Sequence, residues 1–212
     1  QQSGAHHLLG RETFLAPVTW EKNAWPVVNG NGMVHVDMNV PTLPQQPFAQ
    51  KPTRTLFDGS PLGHEWMYLR NPIAENYKFT KKGIQMHGTS TNLDSWTTPP
   101  IGLFRRQQHI QFTSGTCLKL EKGKQGDEAG LTLYREFHSH YDLFVRQESD
   151  KQQAVVLRYQ LGELKHIEKV IPIPIGKVKF QITGEADNYI FSYAVGDNLL
   201  VEIDKMNTKY LS

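Results

Sequence analysis

The sequence predicts an all-β protein: a two-sheet antiparallel β-sandwich of jelly-roll form, preceded by an extended N-terminal segment. Three observations carry this. Within Asp127–Gln147, Ala129, Leu131 and Leu133 alternate with Gly130, Thr132 and Tyr134. After a polar break at His138-Ser139-His140, Tyr141, Leu143 and Val145 alternate with Asp142, Phe144 and Arg146. Successive strand residues point to opposite faces, so each run offers one apolar face to a core, and the pair reads as an antiparallel hairpin. Second, short alternating runs with turn residues between them recur through the rest of the chain. Third, no segment carries a helical period of adequate length.

Residues 1–20 hold one candidate strand, Thr13–Trp20, broken at Pro17. A lone strand cannot bury its own apolar face, so Phe14, Leu15, Val18, Trp20 and Trp25 need a partner surface. Residues 21–52 carry Pro26, Pro41, Pro44, Pro47 and Pro52 and the turn cluster Asn29-Gly30-Asn31-Gly32. They read as a stiff linker with a domain boundary near Lys51. The sandwich then occupies residues 53–212. Its early strands are expected near Thr53–Phe57, Trp66–Leu69, Tyr77–Thr80, Gly83–His87, Leu103–Phe104, His109–Thr113 and Thr116–Lys122. After the hairpin come Ala154–Gln160, Leu164–Ile171, Lys177–Thr183, Tyr189–Val195 and Leu199–Ile203. Val178, Phe180 and Ile182 against Lys177, Lys179 and Gln181 give the clearest wet and dry faces.

Composition narrows the function. A formal net charge of +2, with Lys and Arg scattered among acids, argues against a nucleic-acid partner. No apolar run has the length of a bilayer span, so no membrane partner is expected. The single cysteine, Cys117, excludes an internal disulfide and reads as a small buried apolar side chain in a strand. The chain opens at Gln1 without a leader pattern, so a longer polypeptide or a removed upstream segment is expected. The compartment stays open, with a secreted or periplasmic location favoured over a cytoplasmic one.

Phosphate loops, zinc-like cysteine spacings and nucleophile elbows are missing from the sequence. His6 and His7 point apart on an extended chain, and His138 and His140 read as polar loop residues beside the hairpin turn. Asp58, before Gly59 at the end of the first sandwich strand, is the one candidate for a structural calcium; no other cofactor is expected. Glu128 and Asp142 are neighbours on the hairpin, with an ordinary cross-strand or surface role. The cluster Arg105-Arg106-Gln107-Gln108-His109 offers donors either for sugar hydroxyls and an acidic partner or for loop carbonyls. Trp66, Tyr68, Trp96, Phe104 and Tyr134 suit sugar stacking, although sandwich aromatics usually fill cores. Arg105, Arg106, Gln107 and Tyr134 are therefore candidate sugar contacts.

Two stretches carry a resemblance. Leu9-Gly10-Arg11-Glu12-Thr13-Phe14-Leu15-Ala16-Pro17-Val18-Thr19-Trp20, followed by Trp25-Pro26-Val27-Val28-Asn29-Gly30, resembles the end of the catalytic domain of glycoside hydrolase family 43, in its β-xylosidase and α-L-arabinofuranosidase branch. Phe57-Asp58, Glu65-Trp66, Arg70-Asn71-Pro72, Arg105 to His109 and Glu128 to Thr132 are similar to the concanavalin A-like C-terminal sandwich of the same enzymes. The resemblance implies a five-bladed propeller followed by this sandwich, with inverting hydrolysis by three propeller carboxylates upstream of this chain. It therefore implies no catalytic residue here, and a chain inactive alone. It also implies a catalytic propeller as partner, and a xylo- or arabino-oligosaccharide as the ligand of the whole. Arg11 of the Gly-Arg-Glu motif is implied to line the substrate pocket or to make a salt bridge in the last blade, with Glu12 as its companion. Related enzymes continue past Ser212 into a further strand, so a last sandwich strand is expected to be missing. The function implied is an accessory sandwich of a xylan- or arabinoxylan-degrading glycosidase. The alternatives are an autonomous carbohydrate-binding module, using a row such as Tyr134 and Phe144 with Arg146 and Gln147, or a structural sandwich stabilising an oligomer.

Overall fold

Alternation gives the central hairpin one apolar stripe, and a computed structural model shows what that stripe meets. It describes residues 6–11, 13–30, 32–35, 37–49 and 53–212. Glu12, Asn31 and the boundary placed at Lys51 lie outside the described residues. In chain order the strands are β1 (Val18–Thr19), β2 (Val27–Val28), β3 (Trp66–Met67), β4 (Tyr77–Thr80), β5 (Gly83–Met86), β6 (Phe104–Arg105) and β7 (Phe112–Lys119). They continue with β8 (Glu128–Glu136), β9 (Ser139–Ser149), β10 (Gln152–Leu161), β11 (Leu164–Pro174), β12 (Lys177–Gly184), β13 (Asn188–Val195) and β14 (Val201–Asn207).

Two compact units form: residues 11–55, and residues 56–212 joined by residues 6–10. The smaller unit contains the antiparallel pair β1–β2, with Val18 opposite Val28 and Thr19 opposite Val27. Asn29 (φ 51°) and Gly30 (φ 67°) take the left-handed conformations expected of a turn cluster. Most of its large apolar residues stay exposed, Trp25 to 89%. The proline-rich stretch shares this unit with the first strand, and the segment read as residues 1–20 is divided between the two units.

The larger unit is an antiparallel sandwich. One sheet runs β11-β10-β9-β8 and the other β14-β13-β12-β7. Tyr141, Leu143 and Val145 of β9 and Val155 and Leu157 of β10 face Val178, Phe180 and Ile182 of β12 and Tyr189 and Phe191 of β13. All ten are almost wholly buried, and each large aliphatic among them stabilises the fold by about 1.5–3 kcal/mol relative to leaving it in water. Gly130 is required where it stands. A Cβ there would lie 2.2 Å from the Leu143 carbonyl oxygen and 2.4 Å from Phe144 Cα.

Several expected boundaries differ for local reasons. Thr53–Phe57 makes no strand, because Phe57 adopts φ 53° and sets its ring edge-on to Trp66 at 5.0 Å. The two strands expected around residues 109–122 are one, β7, since Ser114 and Gly115 continue the ladder against Ile182 and Gln181. The last strand starts at Val201, leaving Leu199 and Leu200 in an exposed loop. The hairpin turn is Phe137-His138, so Ser139 and His140 belong to β9 rather than to a loop. Cys117 is exposed, not buried: its neighbour Leu118 points to the core and the period of two sends Cys117 outward.

Candidate functional site

Because the core takes the odd residues of β9, its even residues project from the opposite face of the sheet. Register sets them in rows across β8, β9 and β10: Tyr134, His140 and Gln160; Thr132, Asp142 and Arg158; Gly130, Phe144 and Val156. A strand with polar residues on this face would ordinarily show them to water. Here His140, Asp142 and Phe144 are all buried. Part of the cover comes from upstream chain. The Tyr134 hydroxyl donates to the Leu93 carbonyl at 3.5 Å, Phe104 packs on the Tyr134 ring at 5.6 Å, and Trp96 packs on Phe137 at 4.8 Å.

The buried polar groups form one connected network. Arg158 Nε and Nη2 both donate to Asp142 Oδ2 at 3.1 Å, and Nη1 donates to Glu128 Oε1 at 3.1 Å. Thr132 Oγ1 donates to Asp142 Oδ1 at 2.9 Å, and His140 Nδ1 meets the same oxygen at 2.9 Å. The Arg158 guanidinium also lies over the Phe144 ring at 4.4 Å, so its flat face covers apolar surface while its edge holds carboxylates.

The electrostatics follow. Burial alone would push the Asp142 carboxyl up, but the hydrogen bond and charge of His140, the Arg158 guanidinium and the Thr132 hydroxyl hold it below the ordinary carboxylate range. Burial works against the Arg158 charge too, and Asp142 and Glu128 outweigh it. Tyr134 is pushed up, mainly by burial.

A histidine with a carboxylate on Nδ1 is the core of many acid–base sites. In this one Nε2 is sealed from solvent and meets no hydroxyl or thiol, so no substrate atom reaches it. Glu128 and Asp142 cannot act as a glycosidase pair, since both are bound to one guanidinium. Of the cross-strand or surface role expected for Asp142, the structure shows the cross-strand one, buried, because the register sets it between Thr132 and Arg158.

The residues singled out from sequence have separate surroundings within their own units. Arg11 is exposed in the smaller unit. Arg105 is exposed with its guanidinium 6.0 Å from the Trp66 ring centre, and Arg106 is exposed beside it. Gln107 has both ends of its amide engaged, donating to the His109 carbonyl at 2.9 Å and accepting from the Tyr189 hydroxyl at 3.3 Å. Tyr134 lies between Phe104 and His140, the latter stacked at 5.8 Å, so its ring is taken. Phe144 and Gln147 are buried, so the row Tyr134, Phe144, Arg146 and Gln147 is not an exposed one. Asp58 is exposed, and hydrogen bonds from the Ser60 side chain and amide hold its carboxyl below the ordinary range. Among the described residues no three acidic, imidazole or thiol groups cluster. Arg158 is the residue that sequence reading passed over. A single charge inside Ala154-Val155-Val156-Leu157-Arg158-Tyr159 is the signal that marks it.

Fold and site together define a β-sandwich whose polar centre is built to be closed. The chain matches the β-xylosidase C-terminal concanavalin A-like domain over residues 54–212. It belongs to that family, the C-terminal domain of glycoside hydrolase family 43 proteins. It is 30% identical over 192 residues to the non-reducing end α-L-arabinofuranosidase BoGH43B of Bacteroides ovatus, covering 89% of this chain and 36% of that protein. The xylosidase/arabinosidase 43B of Humicola insolens is 25% identical over 205 residues, 92% of this chain and 38% of that protein. Among solved structures, the Bacteroides ovatus xyloglucan-locus GH43B superimposes with a TM-score of 0.85 at 28% identity, covering 97% of this chain and 41% of that one. A xylan β-1,4-xylosidase from Bacillus halodurans shares the fold with a TM-score of 0.89 at 22% identity, covering all of this chain and 42% of that one. The chain thus spans well under half the length of these relatives, in which the matched domain is the C-terminal part of a larger protein.

Proposed function

We propose that this chain is the non-catalytic accessory sandwich of an exo-acting, inverting glycosidase for xylan or arabinoxylan side chains, of β-xylosidase or α-L-arabinofuranosidase type. It packs on a catalytic propeller and shapes the rim of the propeller's pocket. One observation carries the reading: the two carboxylates closest to an acid pair, Glu128 and Asp142, are both bound by Arg158, with Asp142 buried. Acids engaged by one guanidinium in this way serve stability and shape. The exposed Phe14, Trp20 and Trp25 of the smaller unit are then contacts for the propeller. Arg11, in that unit, is proposed to face the pocket.

Docking tests this directly. A family 43 catalytic propeller produced separately should form a one-to-one complex with this chain by light scattering, and Trp20→Ser with Trp25→Ser should weaken it at least tenfold. Complexes unaffected by both changes would remove the smaller unit from the interface. Calorimetry with xylo-oligosaccharides separates a binding module. No heat at millimolar ligand is expected from this chain alone.

A further inference from the structure

Five aromatics of the larger unit suit sugar stacking by their chemistry: Trp66, Tyr68, Trp96, Phe104 and Tyr134. The fold packs four of them against other rings. Trp66 meets Phe57 at 5.0 Å, Tyr68 meets Tyr77 at 5.0 Å and Phe104 meets Tyr134 at 5.6 Å, and all four are partly buried. Trp96 is the exception. One side of it leans on Phe137 at 4.8 Å, yet the residue stays 69% exposed.

Large aromatic side chains belong mostly to cores, so an indole presented to water calls for a reason. The loop that carries it is fixed to the sheet at three points. The Leu93 carbonyl accepts from Tyr134 of β8 at 3.5 Å, Asp94 Oδ2 pairs with Lys165 of β11 at 3.2 Å, and Trp96 itself rests on the Phe137 turn. A platform held in place before its ligand arrives loses little freedom on binding.

The surroundings say what kind of ligand fits. Phe137 packs on His138 at 4.1 Å, and Arg135 pairs with Glu136 at 3.5 Å, each about half exposed. The charges of Arg70, Glu136 and Asp94 all act on the Tyr134 hydroxyl, which gathers them at this end of the sheet. The centre of a protein interface is depleted in charged residues. A sugar ring has apolar C–H faces bordered by hydroxyls, and it suits an indole ringed by carboxylates, imidazole and guanidinium.

We propose that Trp96 is a stacking platform for one pyranose ring of a xylan chain, with Asp94, Glu136 and His138 flanking it as partners for the hydroxyls. The choice of xylan rests on the function proposed above. A single stacked ring is a weak contact, too weak to give heat from this chain at millimolar ligand. It acts as a second hold on a polymer that the catalytic domain already binds.

The test follows the indole N–H resonances of the whole chain, nitrogen-labelled at tryptophan, during titration with xylohexaose to concentrations well above millimolar. Trp96→Phe assigns the Trp96 signal. That signal should shift saturably, while those of Trp20 and Trp25, 75% and 89% exposed, should not. A Trp96 signal that stays still, or moves no more than those two, would overturn the proposal. Movement on adding a separately produced propeller, with none on adding sugar, would make Trp96 a protein contact and overturn it as well. Both failures leave the docking test above standing. A chain that binds no propeller while Trp96 still answers to sugar would instead sink the accessory reading and keep the platform.

Discussion

Replacing Asp142 by asparagine removes one charge and almost no volume. The Asp142 side chain is 4% exposed and its partner Arg158 16%, so neither can turn to water without opening the sheet face. In the variant the guanidinium keeps only Glu128, whose side chain is 30% exposed. An Asn amide group facing Arg158 then sets donor against donor. Removing one partner of a buried, hydrogen-bonded pair costs about 3–5 kcal/mol, and the surviving Glu128 contact places this case toward the lower figure. For a domain of this size each kcal/mol moves the midpoint by about 2–4 °C, so a fall of about 6–12 °C is expected for 3 kcal/mol. Thermal melts followed by circular dichroism, with urea unfolding to check the slope, would measure it. A triple variant, Asp142→Leu with Arg158→Met and Glu128→Gln, should recover much of the loss, because it leaves no unpaired buried charge. If Asp142→Asn melts within about 0.5 kcal/mol of the parent, the level of an ordinary surface change, the network is not the buried structure described.

Further expectations concern pH, packing and the thiol. The Asp142 carboxyl is depressed in the fold, so its contribution is complete above the unfolded carboxylate value of about 3.9. It is lost as pH falls through the lower folded value, and Asp142→Asn should flatten that part of an acid-unfolding curve. Gly130→Ala should destabilise by about 1–3 kcal/mol or more, since the added carbon meets backbone atoms of Leu143 and Phe144; an unchanged urea midpoint would contradict the close ladder there. Cys117 should react with a thiol reagent in the native chain, one equivalent per molecule, without denaturant. A requirement for urea would place it in a core instead.

The fold was legible because period-two alternation reports the apolar face directly. The stripes Tyr141-Leu143-Val145 and Val178-Phe180-Ile182 meet across the two sheets as the pattern requires. The site was less legible, for a physical reason. Alternation distinguishes apolar from polar, not buried from exposed, and His140 and Asp142 of β9 are polar yet buried. His140 and Asp142 therefore looked like wet residues near a turn. Their burial depends on chain 40 or more residues upstream, such as Leu93 and Trp96, whose contact with this end of the sheet no local pattern announces. Cys117 failed in the other direction: strand propensity said nothing about which face it took. The amide cluster at Gln107 was visible as chemistry, but its commitment to Tyr189, 82 residues away, was not.

Hydrolysis by the purified chain tests the central claim most directly. Aryl β-xylosides and aryl α-L-arabinofuranosides should show no turnover with this chain under conditions where an intact family 43 relative cleaves them. Measurable turnover that co-purifies with the chain, and falls when Glu128 or Asp142 is replaced, would contradict an accessory role and make that pair a catalytic one.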